Sequence, residues 1–326
     1  MAIMVTGGAG YIGSHTVATL LGKGKEVVVV DNLIKGHKEA VLGGRLCIGD
    51  IRDAAFMDEV FERNEIEAVI HFAADIEVAL SMKEPLTFYR NNVYTVICML
   101  ESMRKHGVKH IVFSSTAAVY GFPKVAPIPE DSEKIPINPY GETKLVVEEM
   151  LRWCGEAYGI KSVALRYFNA AGAHPSGKIG EDHNPESHLV PVVLQAALWE
   201  RESVSVFGSD YDTPDGTCVR DYVHVTDLAE AHILALEYLK HGGDSDSFNL
   251  GNGNGFSVME IIRKAREVTG REIRAVVSER RAGDPTRLVA DSSKARSVLG
   301  WQPQNEDLGK IIESAWVWHK NHLGGY

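Results

Sequence analysis

Short apolar runs alternate with longer amphipathic stretches through the first half of the chain. Runs rich in Val and Ile at residues 2–6, 26–31, 45–48, 68–72, 110–114 and 162–166 predict strands. The stretches between them, 11–23, 53–63, 81–106 and 139–158, predict helices. Strands unbroken by polar residues are buried on both faces, as in a parallel sheet. Their alternation with helices predicts a doubly wound α/β fold. After about Ala170 the rhythm changes: 174–187 and 209–217 are rich in Gly, Pro and charge and predict loops, while 189–200, 226–240, 258–269 and 307–322 predict helices and 203–207 a strand. We therefore expect a first domain over residues 1–171, to which 218–245 returns. A second, smaller α/β substrate domain is expected from 172–217 and 246–326.

Composition narrows the function classes. The 326 residues are 44% hydrophobic and 24% charged, with a formal net charge of −10. That balance belongs to a globular protein and argues against nucleic acid as a partner, which would call for a basic stripe. The four cysteines (Cys47, Cys98, Cys154, Cys218) form no C-x-x-C pair and suit a reducing, cytoplasmic setting. No apolar run is long enough to span a membrane, and residues 1–5 are too short for a signal h-region. His183 and His188 read as solvated or substrate-facing, with no acidic or cysteine partner at ligand spacing, so no metal is expected. His71, Trp316 and Trp318 read as packing residues.

The strongest local signal is Thr6-Gly7-Gly8-Ala9-Gly10-Tyr11-Ile12-Gly13, between the first predicted strand and helix. Glycines there let the backbone turn tightly and approach a pyrophosphate, and the helix N-terminus faces its charge. Asp31 ends the second strand, 18 residues after Gly13. Its carboxylate suits ribose hydroxyls and repels a 2′-phosphate, so the expected cofactor is NAD in a Rossmann domain.

A second signal is Asn138-Pro139-Tyr140-Gly141-Glu142-Thr143-Lys144. Asn138 caps the helix and Pro139 suits its first position, which puts Tyr140 and Lys144 one turn apart on one face. A tyrosine needs a pKa drop of roughly 2–3 units to serve as a base near neutrality. One ammonium about 4 Å away supplies about 4 kcal/mol toward the anion before its own desolvation is counted. Lys144, an oxidised nicotinamide and the helix N-terminus are expected to act together on Tyr140.

Gly-Gly-Ala-Gly-Tyr-Ile-Gly, Asp31-Asn32-Leu33, Gly49-Asp50-Ile51, His71-Phe72-Ala73-Ala74, Phe113-Ser114-Ser115-Thr116, Tyr-x-x-x-Lys and Arg166-Tyr167-Phe168-Asn169 occur in one order. In this the chain resembles the extended short-chain dehydrogenase/reductase family. The later stretches 170–177, 216–225 and Arg280-Arg281-x-Gly283-Asp284 make the whole chain similar to that family's UDP-glucose 4-epimerases. The resemblance implies a mechanism: Tyr140 takes the proton of the sugar 4-hydroxyl, C4 gives a hydride to tightly held NAD, and the 4-keto sugar turns and takes it back on its other face. It also implies Thr116 at the 4-oxygen, Asp50 and Ile51 at the adenine, and Tyr11, Ile12, Asn32, Phe72, Ala73, Ala74, Asn91, Ser114 and Phe168 along the cofactor. It places Asn169, Leu189, Phe207, Arg220, Arg281 and Asp284 on the UDP moiety, and two subunits pairing through helices over 81–106 and 139–158.

Three departures qualify the resemblance. Asp75-Ile76 replaces a usual Leu-Lys, His188 a frequent asparagine, and Leu288 a bulky tyrosine common in glucose/galactose-specific members. The smaller Leu288 is expected to leave room for an N-acetyl group at C2. Related 4,6-dehydratases carry Asp-Glu after the active-site threonine; here Ala117-Ala118 follow Thr116, which argues against elimination. A reductase that exchanges NAD each turnover, or a non-catalytic NAD-sensing regulator, shares the cofactor half; such regulators often lose the tyrosine or lysine that this chain keeps.

Overall fold

The computed structural model describes residues 1–281 and 284–326. In chain order its elements are β1 (Ala2–Thr6), α1 (Tyr11–Gly22), β2 (Val27–Asp31), β3 (Arg45–Ile48), α2 (Ala54–Arg63), β4 (Ile66–His71), α3 (Val78–Ser81), α4 (Pro85–Phe88), α5 (Thr95–Lys105), β5 (His110–Thr116), α6 (Pro139–Tyr158), β6 (Lys161–Tyr167) and β7 (Asn169–Ala171). There follow α7 (Leu189–Ala197), β8 (Val204–Phe207), β9 (Val219–Arg220), β10 (Tyr222–His224), α8 (Val225–Lys240), β11 (Asp246–Leu250), β12 (Phe256–Ser257), α9 (Val258–Thr269), β13 (Ala275–Ser278), β14 (Arg287–Leu288), α10 (Ser293–Val298) and α11 (Leu308–Asn321).

Seven parallel strands form the main sheet in the order β11-β6-β5-β4-β1-β2-β3. All five residues of both β1 and β2 are buried, as unbroken apolar runs require of a sheet covered on both sides. One face packs Val17 and Leu20 of α1 with Leu228 and Leu236 of α8; the other packs Met57, Met99 and Val147 of α2, α5 and α6. The chain runs from β1 outward to β3, then returns to lay β4 on the other side of β1. That reversal lies at the carboxyl ends of β1 and β4, the place at which open α/β sheets take ligands. A third core, around Val193, Ile261 and Ile312 of α7, α9 and α11, lies in the second half of the chain.

Two expectations are corrected. The continuous helix over 81–106 is broken: Pro85 cannot donate a backbone hydrogen bond and so restarts a helix, and Tyr89–Tyr94 is wound as a π-helix. Residues 246–250, expected in the second domain, are instead β11 at the edge of the main sheet, paired with β6. The apolar signal there is reduced to alternate residues, because Asn249 sits buried between Phe248 and Leu250 and satisfies itself on Tyr120 Oη and the Ile128 carbonyl. Ala295, Leu299 and Trp301 likewise pack into the main core, so the chain returns to it a second time.

Trp301 is fully buried, and its indole N–H donates to the Asp227 carbonyl at 2.9 Å. Trp301→Ala should cost about 3–5 kcal/mol of stability. Urea denaturation checks this; a loss below about 1 kcal/mol would show that α10 and its tail are not part of the main core.

Candidate active site

The glycine turn lies at the sheet reversal. Gly7 has φ +68°, and a Cβ there would stand 2.6 Å from the Ala73 amide nitrogen in the loop after β4. A Cβ on Gly13 would stand 2.2 Å from the Gly7 carbonyl oxygen. Only hydrogen fits at either place, so the turn is drawn tight between β1 and α1. The Gly10 N–H donates to the Gly7 carbonyl at 3.1 Å, and Gly10 is also the N-cap of α1. With no side chain to cap the helix, its first-turn N–H groups are left for an anion. Tyr11 is fixed by its hydroxyl on the Gly172 carbonyl at 2.6 Å, and Ile12 packs against the first core.

Asp31 closes the far side. Its carboxylate accepts from the Ala9 N–H at 3.0 Å and the Leu33 N–H at 2.9 Å, which holds it beside the turn. Asn32 is exposed, and its side-chain oxygen accepts from the Ile34 N–H, so it shapes the loop. An uncapped helix start, a turn admitting no Cβ and an acid at the end of β2 together fit a dinucleotide.

Asp50 pairs with Arg52, and those hydrogen bonds hold its carboxyl below the usual range. Arg52 donates onward to Asn91, and the Asn91 amide donates to Asp75 at 2.7 Å. Asn92, next in the π-turn, is buried, accepting from the Asp75 N–H and donating to its carbonyl. The Asp75 departure is therefore bonded into the protein by the π-turn. Ile51 is buried in the second core, against which Ala73 packs; Ala74 continues the same loop, and Phe72 lies 4.5 Å from the His232 ring. His71 is buried and held neutral by burial, its pKa lowered to about 3, with Thr6 Oγ1 2.7 Å from its Nδ1.

The α6 N-terminus is seated as its sequence predicts. Asn138 accepts from the Gly141 N–H at 2.8 Å, and Pro139 occupies the first turn. Gly141 serves contact: a Cβ there would lie 2.6 Å from the Ala118 carbonyl. That approach brings Tyr140 to Thr116 at the end of β5, whose hydroxyl favours the phenolate. Lys144 is buried; its ammonium donates to the Ser114 carbonyl at 2.8 Å and lies 4.9 Å from the Phe113 ring. The Ser114 hydroxyl bonds the Tyr167 hydroxyl.

The expected lowering of the Tyr140 pKa by Lys144 is not what the chain's own groups produce. Desolvation raises the phenol above its ordinary value, with only Thr116 acting the other way. Desolvation also pushes Lys144 down to about 7, against the pull of Glu148. Both ions lose hydration in the same enclosure, which offsets the attraction between them. A cation bound beside Tyr140 would have to supply the remaining shift.

Substrate-side expectations fall into one chain of contacts. Arg220 on β9 bonds Asp284, the Asp284 N–H donates to the Arg281 carbonyl, and the Arg281 guanidinium lies 3.9 Å over the Phe207 ring at the end of β8. Gly283 of the same motif lies outside the described residues. Asn169 donates to the Asp221 carbonyl at 3.0 Å, next to Arg220. Leu288 pairs in register with Arg220 and packs with Phe168 against the buried cluster of Val119, Tyr120 and Ile128. Leu189 opens α7, half-buried on the third core and apart from these contacts.

Sequence reasoning missed two clusters. Beneath α6, Glu148 takes Arg166 through two hydrogen bonds and Ser115 through a third, all largely buried. Its signal was available, since Glu148 falls one turn after Lys144. The second corrects the reading of His183 and His188: Glu181 and Glu186 stand with them, with ligating atoms all within 4.8 Å. The missed signal is Glu-x-His-x-x-Glu-x-His, read as loop composition.

The family model described as NAD dependent epimerase/dehydratase family matches residues 3–251. The UDP-glucose 4-epimerase of Halalkalibacterium halodurans is 57% identical over the whole chain and 98% of its own length. The solved structure of UDP-glucose 4-epimerase from Brucella ovis in complex with NAD superposes with a TM-score of 0.95, at 47% identity over 97% of each chain. That from Bifidobacterium longum, in complex with NAD+ and UDP, gives 0.94 at 40% identity over 100% of each.

Lys144 yields a pH prediction. Its pKa falls from 10.5 unfolded to about 7 folded, so between those values the unfolded state binds more protons. Stability of the NAD-free protein should therefore rise with pH across that window, and Lys144→Met should remove the rise. Denaturation midpoints from pH 7 to about 10, compared between the two proteins, check it; parallel curves would contradict a buried, depressed Lys144.

Proposed function

The chain belongs to the NAD dependent epimerase/dehydratase family, and from that premise we propose that it is a UDP-glucose 4-epimerase, interconverting UDP-glucose and UDP-galactose through a 4-keto intermediate with NAD held throughout. The observation that carries this reading is the seating of Tyr140 against Thr116 at the end of β5, with Lys144 buried one turn on, in a chain whose β1–α1 turn admits no Cβ. When bound, NAD supplies the hydride acceptor and donor for C4 and a positive ring beside Tyr140. Tyr140 holds the proton of the sugar 4-oxygen, and Thr116 orients that oxygen. Lys144, anchored on Ser114 one turn from Tyr140, positions the pair, and Thr116 is the chain's own group that favours the phenolate. Gly7, Gly10 and Gly13 with Tyr11 and Ile12 hold the pyrophosphate, Asp31 the ribose, and Asp50 and Ile51 flank the adenine.

Arg220 and Arg281 hold the diphosphate of the substrate, their planar forks matching its oxygens. Asp284 orients Arg220, while Asn169, Leu189 and Phe207 bound the nucleotide. Leu288 packs on the same cluster as Phe168 and is smaller than a tyrosine, which favours room at the sugar C2 and turnover of UDP-GlcNAc and UDP-GalNAc as well. Residues 1–171 with 218–250 and 295–301 form the cofactor half in this reading, the rest the substrate half. Exposed Leu86, Ile97 and Trp153 on α4, α5 and α6 favour a homodimer through those helices. A cytoplasmic location belongs to the same proposal, supported by four free cysteines; no helix among the described residues is long and apolar enough to cross a membrane.

Purified protein given each of the four UDP-sugars without added NAD should interconvert the C4 epimers. Tyr140→Phe should slow this about 10²–10⁴-fold while NAD remains bound. No product from any of the four would overturn the proposal. Leu288→Tyr should abolish turnover of the N-acetyl pair and spare the other; wild-type UDP-GlcNAc turnover below about a thousandth of that of UDP-glucose would refute the role of Leu288. Ile97→Glu with Trp153→Glu should elute as a monomer where the parent elutes as a dimer, and an unchanged elution would move the interface elsewhere.

A further inference from the structure

We propose that Glu181, His183, Glu186 and His188 form a structural zinc site. The four residues lie on the loop between β7 and α7, with His188 as the α7 N-cap. The two carboxylates are almost fully buried, Glu181 with 4% and Glu186 with 3% of the side chain exposed. His188 Nδ1 lies 2.8 Å and His183 Nδ1 3.3 Å from the same oxygen, Glu181 Oε1. Glu186 offers Oε1 at 3.3 Å from His188 Nδ1 and Oε2 at 3.6 Å from His183 Nδ1.

Such distances suit either imidazolium–carboxylate pairs or the shared ligands of one cation. Both Nδ1 atoms are buried and without a hydrogen-bond partner among the described residues. One ligating atom from each of the four residues lies within 4.8 Å of the other three. Zinc bound to nitrogen and oxygen at about 2.0–2.1 Å in a tetrahedron sets its ligands about 3.3–3.4 Å apart. With Glu186 Oε1 as the ligand, the separations of 2.8, 3.3 and 3.3 Å lie at or below that edge, and ligating atoms all within 4.8 Å of one another would reach it by small side-chain shifts.

The donor set selects the ion. Two imidazoles and two carboxylates suit zinc, whereas calcium and magnesium take six or more oxygens, many from water or backbone. Four protein ligands leave no open position, which makes the site structural. Outer contacts hold the ligands in place: Glu186 Oε1 accepts the Ser187 and His188 N–H groups at 2.7 and 2.8 Å, and the Trp318 indole donates to the Glu181 carbonyl at 3.2 Å. The Tyr11 ring meets the His183 ring edge-on at 6.3 Å. The ion would thus fasten the loop between the glycine turn and α11.

The test uses full-length protein without a polyhistidine tag, made in zinc-supplemented medium and desalted. Elemental analysis should find about one zinc per chain. His183→Ala with His188→Ala should bring it near zero, and His241→Ala, at an exposed helix end, should leave it unchanged. Stripping the parent protein with a chelator should lower Tm by about 5 °C or more. Zinc should restore it where magnesium and calcium do not. The stripped parent, titrated with zinc against a chromophoric chelator, gives the answer even if the double variant does not fold. Less than a tenth of an equivalent of any transition metal, with no Tm response to added zinc, would overturn the site in favour of two protonated histidines paired with the acids. The same zinc content in the double variant would overturn it as well.

Discussion

The buried pair of Glu148 and Arg166 is the contact on which the positions of the other active-site elements converge. Glu148 rises from α6, Arg166 from β6, and the Ser115 hydroxyl of β5 donates to the same carboxylate. Arg166 also donates to the Tyr120 hydroxyl and the Glu130 carbonyl, and Tyr120 passes the connection to Asn249 of β11. A helix, three strands and the connecting loop are thus registered through two charges with 9% and 4% of their side chains exposed. Burying such a pair gains little stability by itself, but breaking it leaves a charge without solvent and costs about 3–5 kcal/mol. The geometry is therefore enforced by penalty: no relative movement of α6 and β6 can separate the pair cheaply.

That enforcement explains how Lys144 remains where its own solvation opposes it. An ammonium buried without a carboxylate in contact is pushed toward neutrality, and Glu148 one turn away offsets only part of this. Tyr140 is pushed the same way by the same enclosure. Enclosure raises the energy of both ions in the free site, so the electrostatic balance is left to be completed by whatever charge binds there. Hydrogen bonds from Thr116 and to the Ser114 carbonyl fix the two groups in advance, and reorganisation at the moment of reaction is small.

The sequence announced the parts governed by local physics. Unbroken Val runs, the glycine turn and the Asn138-Pro139 helix start each follow from the backbone needs of a few neighbouring residues, and the structure has them at those places. Pieces governed by distant contacts were less legible. Asn249 makes β11 look polar because its partner is Tyr120, far off in sequence, and the depressed Lys144 depends on enclosure by β5 and Phe113. Gly141 stands between the two cases: its residue type was plain, but its reason, the Ala118 carbonyl 2.6 Å from a would-be Cβ, is tertiary.

The Asp75 departure shows how a substitution can be absorbed without emptying the site around it. A carboxylate placed after the His-Phe-Ala-Ala segment brings negative charge toward the phosphate-binding side. Here that charge is drawn into a row, Asp50 to Arg52 to Asn91 to Asp75, in which one guanidinium serves the first acid directly and the last through an amide. Asn92, the next residue of the π-turn at Tyr89–Tyr94, accepts the Asp75 N–H and donates to its carbonyl, so two consecutive residues of that turn hold the side chain and the backbone of one residue. The carboxylate is thereby tied, through Asn91, to the guanidinium that also serves Asp50.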